Sequence, residues 1–313
     1  MMNRSVEISV IIVSWNQKDL LRACLRSLYS SSGSAAIEVI VVDNASSDGS
    51  ATMVEIEFPQ ALVIRAGENL GFGRATNLGA SRARGKYLLL LNSDTEVCED
   101  TCSKMADFMT EHPDVGIVGC RLVDPVGRAW QRSYGNFPTW RAELCEALFL
   151  SSIFPRSRIF EGTHIRSESA IVRACDWVSG AAMMIRRSAW DAVRGFDEAF
   201  FMYYEDVDLC WRVRAAGFTV VFFPFAHVIH HQGASVGKGS AGLLFDLESQ
   251  RIFCRKHYSR VHCLLIQLVV ALRCALRVAV FPALAVVSGR YRGRQRMYAR
   301  WRMFCQSIMN IFR

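Results

Sequence analysis

Two short apolar stretches of this 313-residue chain end abruptly in amide and acidic residues: VIVVDN at residues 39–44 and LLLLNSD at residues 88–94. Apolar runs of this length, bounded by polar turns, are typical of buried strands in an open α/β sheet. Ligands of such sheets bind beyond the carboxyl ends of the strands. We therefore expect Asp43 and Asp94 to face the same crevice.

The segments around these stretches predict a parallel sheet with right-handed crossovers, because strand-like and helical patterns alternate. We expect strands at 8–14, 37–42, 61–65, 87–91 and 115–122, and helices at 20–30, 50–58, 72–82 and 101–111. A strand at 177–185, a helix at 205–216 and strand-like runs at 220–223 and 228–229 complete the predicted body. Residues 123–168 have irregular periodicity, which indicates loops and short strands over the sheet.

Composition separates the body of the chain from its C-terminal part. Residues 251–313 contain 13 Lys and Arg and no Asp or Glu, whereas the other 250 residues hold 24 basic and 29 acidic residues. The net charge of +8 therefore belongs to the tail. A near-neutral body with a basic, apolar tail favours an anionic membrane surface as partner, and we expect no nucleic acid.

The apolar part of the tail, residues 261–288, is interrupted by Arg273 and Arg277. Its runs fall short of the roughly 18–20 residues of a simple membrane span, and each Arg near a bilayer centre costs on the order of 2.5–3.5 kcal/mol. We expect helices lying in the cytoplasmic membrane interface, with packing on protein and a true span as weaker alternatives. The arginines predicted to face headgroups are Arg290, Arg292, Arg294, Arg296, Arg300 and Arg302.

Eleven cysteines are scattered singly through the chain, without a CxxC pair. This spacing predicts reduced, core-filling thiols in a cytosolic protein. The apolar stretch at residues 8–15 is short and runs into NQKD at 16–19, so we interpret it as the first strand and not as a signal peptide.

Three strand ends and loops carry residues suited to a nucleotide diphosphate. Asp43 can accept a hydrogen bond from a base or a ribose hydroxyl, while the Asx and Ser residues that follow can cap the next helix. The loop NLGFGRATN at 69–77 opens a helix where N–H groups can meet phosphate. Asp94 suits a divalent cation that keeps waters and bridges a diphosphate. His230 or its neighbour His231 is the second candidate ligand, and an imidazole favours Mn²⁺ somewhat over Mg²⁺.

The segment EDVDLC at 205–210 places acids at the start of a predicted helix. Asp206 shares its helical face with apolar residues three, four and seven positions on, so we expect it on the inward face. A general base is the functional reason that we favour for a carboxylate there. For Glu205 we favour a partnership with the helix dipole, and for Asp208 a salt bridge to Arg212.

Eight motifs together resemble the inverting, GT-A-fold family 2 glycosyltransferases, most closely their rhamnosyltransferase-like branch. The motifs are VSWN (13–16), VDNASSDG (42–49), NLGF (69–72), NSD (92–94), VSGA (178–181), GFDE (195–198), EDVDLC (205–210) and HHQGAS (230–235). Their order and spacing agree along residues 6–258. The resemblance implies an α/β fold of the GT-A type, Rossmann-like, with a catalytic domain at 1–258 and a basic helical, membrane-associating tail at 259–313.

The resemblance also implies roles for individual residues. Asp43 would contact the donor's base, and Asp206 would deprotonate the acceptor hydroxyl. Asp94 and His230 would hold Mn²⁺ or Mg²⁺ on the diphosphate. The other implied donor contacts are Ser14, Asn16, Asn44, Asn69, Gly71, Arg74, Asn77, Asn92 and Ser93, and the implied acceptor contacts are Trp177, Gly180, Ala181 and Glu205. One departure is Asn92, which stands where the family usually has the first Asp of Asp-x-Asp.

The implied reaction is a metal-dependent, in-line displacement that inverts the anomeric carbon. Its expected donor is dTDP-rhamnose and its acceptor a hydroxyl of a lipid-linked glycan, in bacterial cell-surface polysaccharide synthesis on the inner face of the cell membrane. A hexosyl or N-acetylhexosaminyl transferase using a UDP or GDP sugar is one alternative. Another is an inactive, nucleotide-binding membrane scaffold, against which the joint presence of Asp43, Asp94 and Asp206 argues. Self-association into a homo-oligomer stays open.

Overall fold

The computed structural model of the protein describes residues 6–31, 35–126, 133–155, 157–165, 170–231 and 240–287. Its strands are β1 (Ile8–Ser14), β2 (Ile37–Asp43), β3 (Leu62–Arg65), β4 (Tyr87–Asn92), β5 (Thr95–Val97), β6 (Val115–Val123), β7 (Tyr134–Gly135), β8 (Arg173–Ala174), β9 (Trp177–Val178), β10 (Ala182–Arg186) and β11 (Thr219–His230). Its helices are α1 (Lys18–Ser31), α2 (Ser50–Glu57), α3 (Gly71–Ala80), α4 (Thr101–Glu111), α5 (Trp140–Ala147), α6 (Leu150–Ile153), α7 (Arg187–Val193), α8 (Glu205–Ala215), α9 (Ser240–His257) and α10 (Arg260–Val287).

The main sheet is mixed. Its first four strands, in the order β3-β2-β1-β4, are all parallel, as predicted. Beyond them the direction changes, because β10 lies between β4 and β6 and runs antiparallel to both. β11 is parallel to β6, and β5 is antiparallel to β11.

Apolar side chains cover both faces of the parallel strands. On one face, residues of β1 such as Ile12 pack with α1 and α4 residues such as Leu25 and Met105 in one large core cluster. On the other, Ile40 and Val42 of β2 pack with Ala75 of α3. Strands buried on both faces read as continuous apolar runs, which is why the sequence places β1, β2 and β4 within one residue of their bounds.

The cysteines are part of this packing. The ten that the structure describes are free thiols, and all but Cys98 are buried. Burial raises the pKa of the Cys24 and Cys102 thiols to about 12. A thiol that ionises so far above neutral pH is a poor nucleophile, so these side chains act as core residues.

The chain forms two compact units. The first, called the sheet unit, draws its described residues from within Met1–Tyr134, Glu168–Phe201 and Glu205–Ser235, and the second, called the helical unit, from within Gly135–Ser167, Met202–Tyr204 and Val236–Arg313. The predicted boundary between residues 258 and 259 falls inside the helical unit, because α9 and α10 belong to it together.

The helical unit contains two helices in a stretch where loops and short strands were expected. α5 begins at Trp140 with a Thr139 N-cap, whose side chain accepts a hydrogen bond from the N–H of Ala142. Its periodicity is hidden in the sequence because Glu143 stands at a buried position, where an amphipathic helix normally has an apolar residue. α6 follows, and a single 3-10 turn spans Arg158–Phe160.

An ion pair inside the helical unit accounts for Arg273, one of the charges that interrupt the apolar tail. Nη1 of Arg273 lies 2.6 Å from Oε2 of Glu143 and 3.4 Å from Oε2 of Glu146. Burial raises the pKa of Glu143, although Arg273 opposes the shift. Gln250 donates a further hydrogen bond of 2.6 Å to Oε1 of Glu143. The arginine thus joins α10 to α5 within protein.

Over the described ranges, no helix combines the length and the apolar character that crossing a bilayer requires.

We expect Arg273→Met to destabilise the helical unit by about 3–5 kcal/mol, because it leaves the buried Glu143 carboxylate without its cation. Denaturant unfolding, followed by circular dichroism, measures the change. The control is Arg255→Met, which removes an exposed arginine from α9. Equal unfolding midpoints for the two variants would contradict the assignment of a structural role to this ion pair.

Candidate active site

Three buried polar side chains meet at the carboxyl ends of neighbouring parallel strands. Ser14 at the end of β1 is paired in register with Asp43 at the end of β2, and Val13 is paired with Asn92 at the end of β4. Asp94 follows two residues later. Oγ of Ser14, Oδ1 of Asp43 and Oδ1 of Asp94 are all buried, and none has a hydrogen-bond partner among the described residues. Since each such atom costs about 1–3 kcal/mol, this edge is suited to a ligand that supplies the missing donors or a cation.

The Asp43 carboxylate is held by one oxygen only. Its Oδ2 accepts a hydrogen bond of 3.2 Å from the N–H of Ser46. Arg65 of β3 is its register neighbour, but the guanidinium of that arginine is bonded to Glu55, with 2.8 Å between Nη2 and Oε2. Oδ1 of Asp43 therefore stays available to a donor group from outside the protein.

The loop after β2 is shaped by its own polar residues. Asp48 accepts hydrogen bonds of 2.8 Å from the N–H of Lys18 and 3.0 Å from the N–H of Ser50, the first residues of α1 and α2. Asp48 thus bonds the first N–H of each helix, while the N-cap residue of α2 is Gly49, which has no side chain to cap it. Asn16, predicted to bind the donor, instead accepts a hydrogen bond of 2.8 Å from the N–H of Ser47 through its side chain. It joins the loop after β1 to the loop after β2.

Asn44 and Asn69 join the next two loops. Nδ2 of Asn44 donates to Oδ1 of Asn69 over 2.9 Å, and Oδ1 of Asn44 accepts from the N–H of Leu70 over 2.9 Å. Gly71 follows with a φ of +77°, and a Cβ at this residue would lie only 2.4 Å from the carbonyl oxygen of Phe201. Only glycine combines this conformation with this close approach.

Asn77 and Arg74 of α3 contact the segment before α8. The Asn77 side chain donates to the carbonyl of Phe196 over 3.0 Å and accepts from its N–H over 2.9 Å. Nε of Arg74 lies 3.5 Å from Oε2 of Glu198 in an exposed ion pair. The side chains of Asn16, Asn44, Asn69 and Asn77 are thus engaged with the protein itself, and their predicted contacts with the donor stay predictions.

Asp94 lies beside His230, the last residue of β11. Nε2 of His230 is 3.3 Å from Oδ1 of Asp94. Nε2 of the adjacent His231 is instead bonded to Oε1 of Glu96 over 2.6 Å. Ser93 donates from Oγ to Oε1 of Gln17 over 2.8 Å. Among the described residues, no group of three or more His, Cys, Asp and Glu converges to hold a metal.

The distance between Oδ1 of Asp94 and Nε2 of His230 nevertheless fits two neighbouring ligands of one cation. Neighbouring ligands of an octahedral Mg²⁺ site, each at about 2.0–2.1 Å from the ion, lie about 3 Å apart. Oδ1 of Asp94 is a buried carboxylate oxygen, which suits both Mg²⁺ and Mn²⁺. Water and the oxygens of a diphosphate would have to supply the remaining ligands.

The residues just before β10 connect the carboxyl ends of the strands to Asp206, the predicted general base. The N–H of Asn92 donates to the carbonyl of Ala181 over 3.0 Å, and the N–H of Gly180 donates to Oδ2 of Asp206 over 2.9 Å. A Cβ on Gly180 would lie 3.4 Å from Cβ of Asp206. Asp206 is therefore bonded to a residue two positions before β10, the strand that neighbours β4. Trp177, also predicted to bind the acceptor, is buried in β9.

The burial of the acidic residues of α8 differs from the predicted burial. Asp206 is only half-buried, whereas Asp208 is fully buried. Arg212 neutralises Asp208 over 2.6 Å and so allows this carboxylate to face the interior, whereas the predicted inward position of Asp206 holds only in part. The predicted pairing of Asp208 with Arg212 is confirmed. Glu205 is buried, and burial followed by the charge of Asp206 raises the pKa of Glu205 to about 8.

Two residues of the site were not anticipated from the sequence. Gln17 holds Ser93, which is 76 positions away along the chain, and Glu96 holds His231, which is 135 positions away. Both contacts depend on how strands assemble, so no local pattern indicates them.

The family comparison agrees with this arrangement. The model of the family described as "Glycosyl transferase family 2" matches residues 9–190, more than half of the chain. The chain belongs to glycosyl transferase family 2. The match includes β1, β2, β4 and β10, so the strand ends described above fall within the family region of this glycosyltransferase.

Two curated relatives of the glycosyltransferase are rhamnosyltransferases. It is 29% identical over 246 residues to the N-acetylglucosaminyl-diphospho-decaprenol L-rhamnosyltransferase of Mycobacterium tuberculosis, covering 75% of this chain and 79% of that protein. It is 26% identical over 233 residues to the rhamnosyltransferase WbbL of Escherichia coli, covering 71% of this chain and 82% of the relative.

The fold is also that of solved glycosyltransferases. The mannosyltransferase PcManGT from Pyrobaculum calidifontis, solved in complex with GDP-Man and Mn²⁺, superposes with a TM-score of 0.60 over 99% of this chain and 87% of that chain, at 15% sequence identity. At this identity the likeness establishes the fold alone, and it confirms the expected α/β, GT-A-like architecture.

We expect Glu205→Gln to flatten the dependence of stability on pH. With a pKa of about 8, Glu205 is protonated in the folded state while it is ionised in the unfolded chain, where its pKa is about 4.3. The unfolded state then binds fewer protons, so the free energy of unfolding falls as pH rises from about 4.3 to about 8. Melting temperatures of both proteins across this range measure the effect.

The control for this comparison is Glu68→Gln, which changes an exposed glutamate. Its melting profile should run parallel to that of the wild type. If the Glu205→Gln profile also runs parallel to the wild type, Glu205 is not protonated in the folded state.

Proposed function

We propose that this family 2 glycosyltransferase transfers L-rhamnose, with dTDP-rhamnose as donor, to a hydroxyl of a lipid-linked glycan in cell-surface polysaccharide synthesis. The observation that carries the proposal is a row of buried oxygens at three adjacent strand ends, those of Ser14, Asp43 and Asp94, that have no hydrogen-bond partner among the described residues. The names of the two rhamnosyltransferase relatives support the sugar. The name of the mycobacterial relative, which includes a diphospho-decaprenol, supports the class of acceptor.

Asp43 and Ser14 are the proposed contacts of the nucleoside. Oδ1 of Asp43 can accept from an imide N–H of the base or a ribose hydroxyl, and Oγ of Ser14 can donate to or accept from the same moiety. Asn44 and Asn69 hold the two loops beside them in place. A nucleoside bound here would satisfy oxygens that the protein leaves without donors.

Asp94 and His230 are the proposed ligands of a divalent cation, Mn²⁺ or Mg²⁺. Such a cation offsets negative charge on the departing nucleoside diphosphate. Glu96 engages His231 and thereby leaves His230 as the imidazole beside Asp94. Ser93, turned towards Gln17, keeps the short segment between β4 and β5 in position.

Asp206 is the proposed general base. Its two oxygens accept from the N–H groups of Gly180 and Val207, which orient the carboxylate and stabilise its ionised form. In a single displacement, the acceptor oxygen bonds to the anomeric carbon while the bond from that carbon to the diphosphate oxygen breaks. The proton of the acceptor hydroxyl passes to Asp206, and the anomeric configuration inverts.

A peripheral location on the inner face of the cell membrane is part of the proposal. The lipid-linked acceptor would be embedded there, and the basic residues after position 251 would be attracted to anionic lipid.

We expect Asp206→Asn to lower the rate of rhamnose transfer by about 10²–10⁴-fold, because general-base catalysis contributes that range. The assay follows transfer from dTDP-rhamnose to an N-acetylglucosaminyl-diphospho-prenol, with UDP and GDP sugars as alternative donors. Binding of dTDP by the variant, measured by thermal shift, should match the wild type. Turnover at the wild-type rate would remove Asp206 from the mechanism.

We expect His230→Ala to weaken Mn²⁺-dependent donor binding about 10-fold or more, and His231→Ala to weaken it much less, since His231 is bonded to Glu96. Titration of Mn²⁺ at fixed dTDP, followed by calorimetry, compares the two. Mn²⁺ affinities that are the same in both variants and the wild type would exclude His230 as a ligand.

A further inference from the structure

The side chains of α10 divide into a buried and an exposed face. The buried face includes Cys263, Ile266, Val270 and Cys274. Arg273 points into protein as well, since it pairs with Glu143 and Glu146 of α5. A buried ion pair resists rotation of the helix, because breaking it would leave charges without partners. The opposite face of α10 is therefore fixed in its orientation within the helical unit.

That opposite face consists of large apolar side chains. Its exposed fractions are 68% for Val261, 44% for Leu264, 41% for Leu265, 46% for Leu268 and 43% for Leu272. The intervals of three, one, three and four residues follow the helical period, so the five side chains form one continuous stripe. We call it the α10 stripe. A stripe of this kind marks a surface that is covered by something apolar in the working protein.

The charges around the α10 stripe indicate what covers it. Arg255, Lys256 and Arg260 are exposed where α9 ends and α10 begins. Residues 251–313 contain no Asp or Glu. A second copy of the chain, docked by the same stripe, would offer these cations no carboxylate from its residues 251–313. An apolar stripe beside cations matches the acyl chains and the anionic headgroups of a lipid surface.

The helical unit exposes further large apolar side chains outside α10. Five more large apolar residues are exposed between α5 and the 3-10 turn: Trp140, Leu148, Ile153, Phe154 and Ile159. Single exposed apolar residues need no explanation, but this unit carries many of them in a short length of chain. The number of these residues agrees with a helical unit whose surface contacts lipid.

We propose that the α10 stripe is a docking surface for an anionic lipid bilayer, with α10 lying in the plane of the interface. The helix inserts its leucines among the acyl chains, while Arg273 stays in its ion pair inside the protein. The inference extends the proposed peripheral location to a defined surface, and it depends on no step of the transfer reaction.

The test is binding of the full chain to vesicles made of equal parts of phosphatidylcholine and phosphatidylglycerol, measured by flotation. The variant is Leu264→Gln with Leu268→Gln. Its matched control is Ile56→Gln with Leu62→Gln, which changes two exposed apolar residues of the sheet unit. We expect the α10 variant to lose at least about 10-fold in vesicle affinity, because two leucines no longer transfer from water to lipid. The control should bind as the wild type does.

Three results would overturn the proposal. They are absence of wild-type binding to these vesicles, equal binding by the two variants, and a wild-type dimer in solution that the α10 variant alone converts to a monomer. Light scattering measures the last and would assign the stripe to a second copy. Thermal shift with dTDP checks in each variant that the donor site is intact. A protein that binds vesicles through the stripe but transfers no sugar would refute the proposed reaction and leave this inference standing.

Discussion

The structure depends on one constraint, the register that brings three parallel strands to a common end. Ser14 is opposite Asp43, and Asn92 is opposite Val13, so the polar residues that follow each apolar run lie side by side. Three of their oxygens are buried without hydrogen-bond partners, which the fold tolerates because the surrounding apolar core is extensive. The loops are then positioned around these oxygens, mostly by amide side chains that bond across from one loop to the next.

The second element of the site is an antiparallel strand inserted into a sheet that begins as parallel. The residues that precede β10 bring Ala181 to the end of β4 and Gly180 to Asp206. The first contact is a main-chain hydrogen bond from Asn92 to Ala181, and in the second the N–H of Gly180 donates to the carboxylate of Asp206.

Much of this could be predicted from the sequence, and the exceptions have physical reasons. Strands buried on both faces are unambiguous, so β1, β2 and β4 and the strand-end acids Asp43 and Asp94 were identified directly. Burial within α8 was predicted only in part, because the fully buried Asp208 faces inward by virtue of its pairing with Arg212. α5 was missed for the same reason, since buried Glu143 interrupts its apolar pattern and is stabilised by Arg273, 130 residues away along the chain. A buried charge that is paired occupies a position where the sequence pattern of a helix normally has an apolar residue, so the pattern fails to show the helix or its inward face.

The central claim is that the three strand ends form a site for a nucleoside diphosphate with a divalent cation. Its most direct test is the thermal stability of the purified protein with dTDP, UDP, GDP and CDP, each with and without Mn²⁺, in the wild type and in Asp94→Asn. A ligand that binds only the folded state raises its stability by mass action. We expect selective, Mn²⁺-dependent stabilisation by dTDP that Asp94→Asn abolishes. Folded protein that no diphosphate stabilises, with or without Mn²⁺, would contradict it.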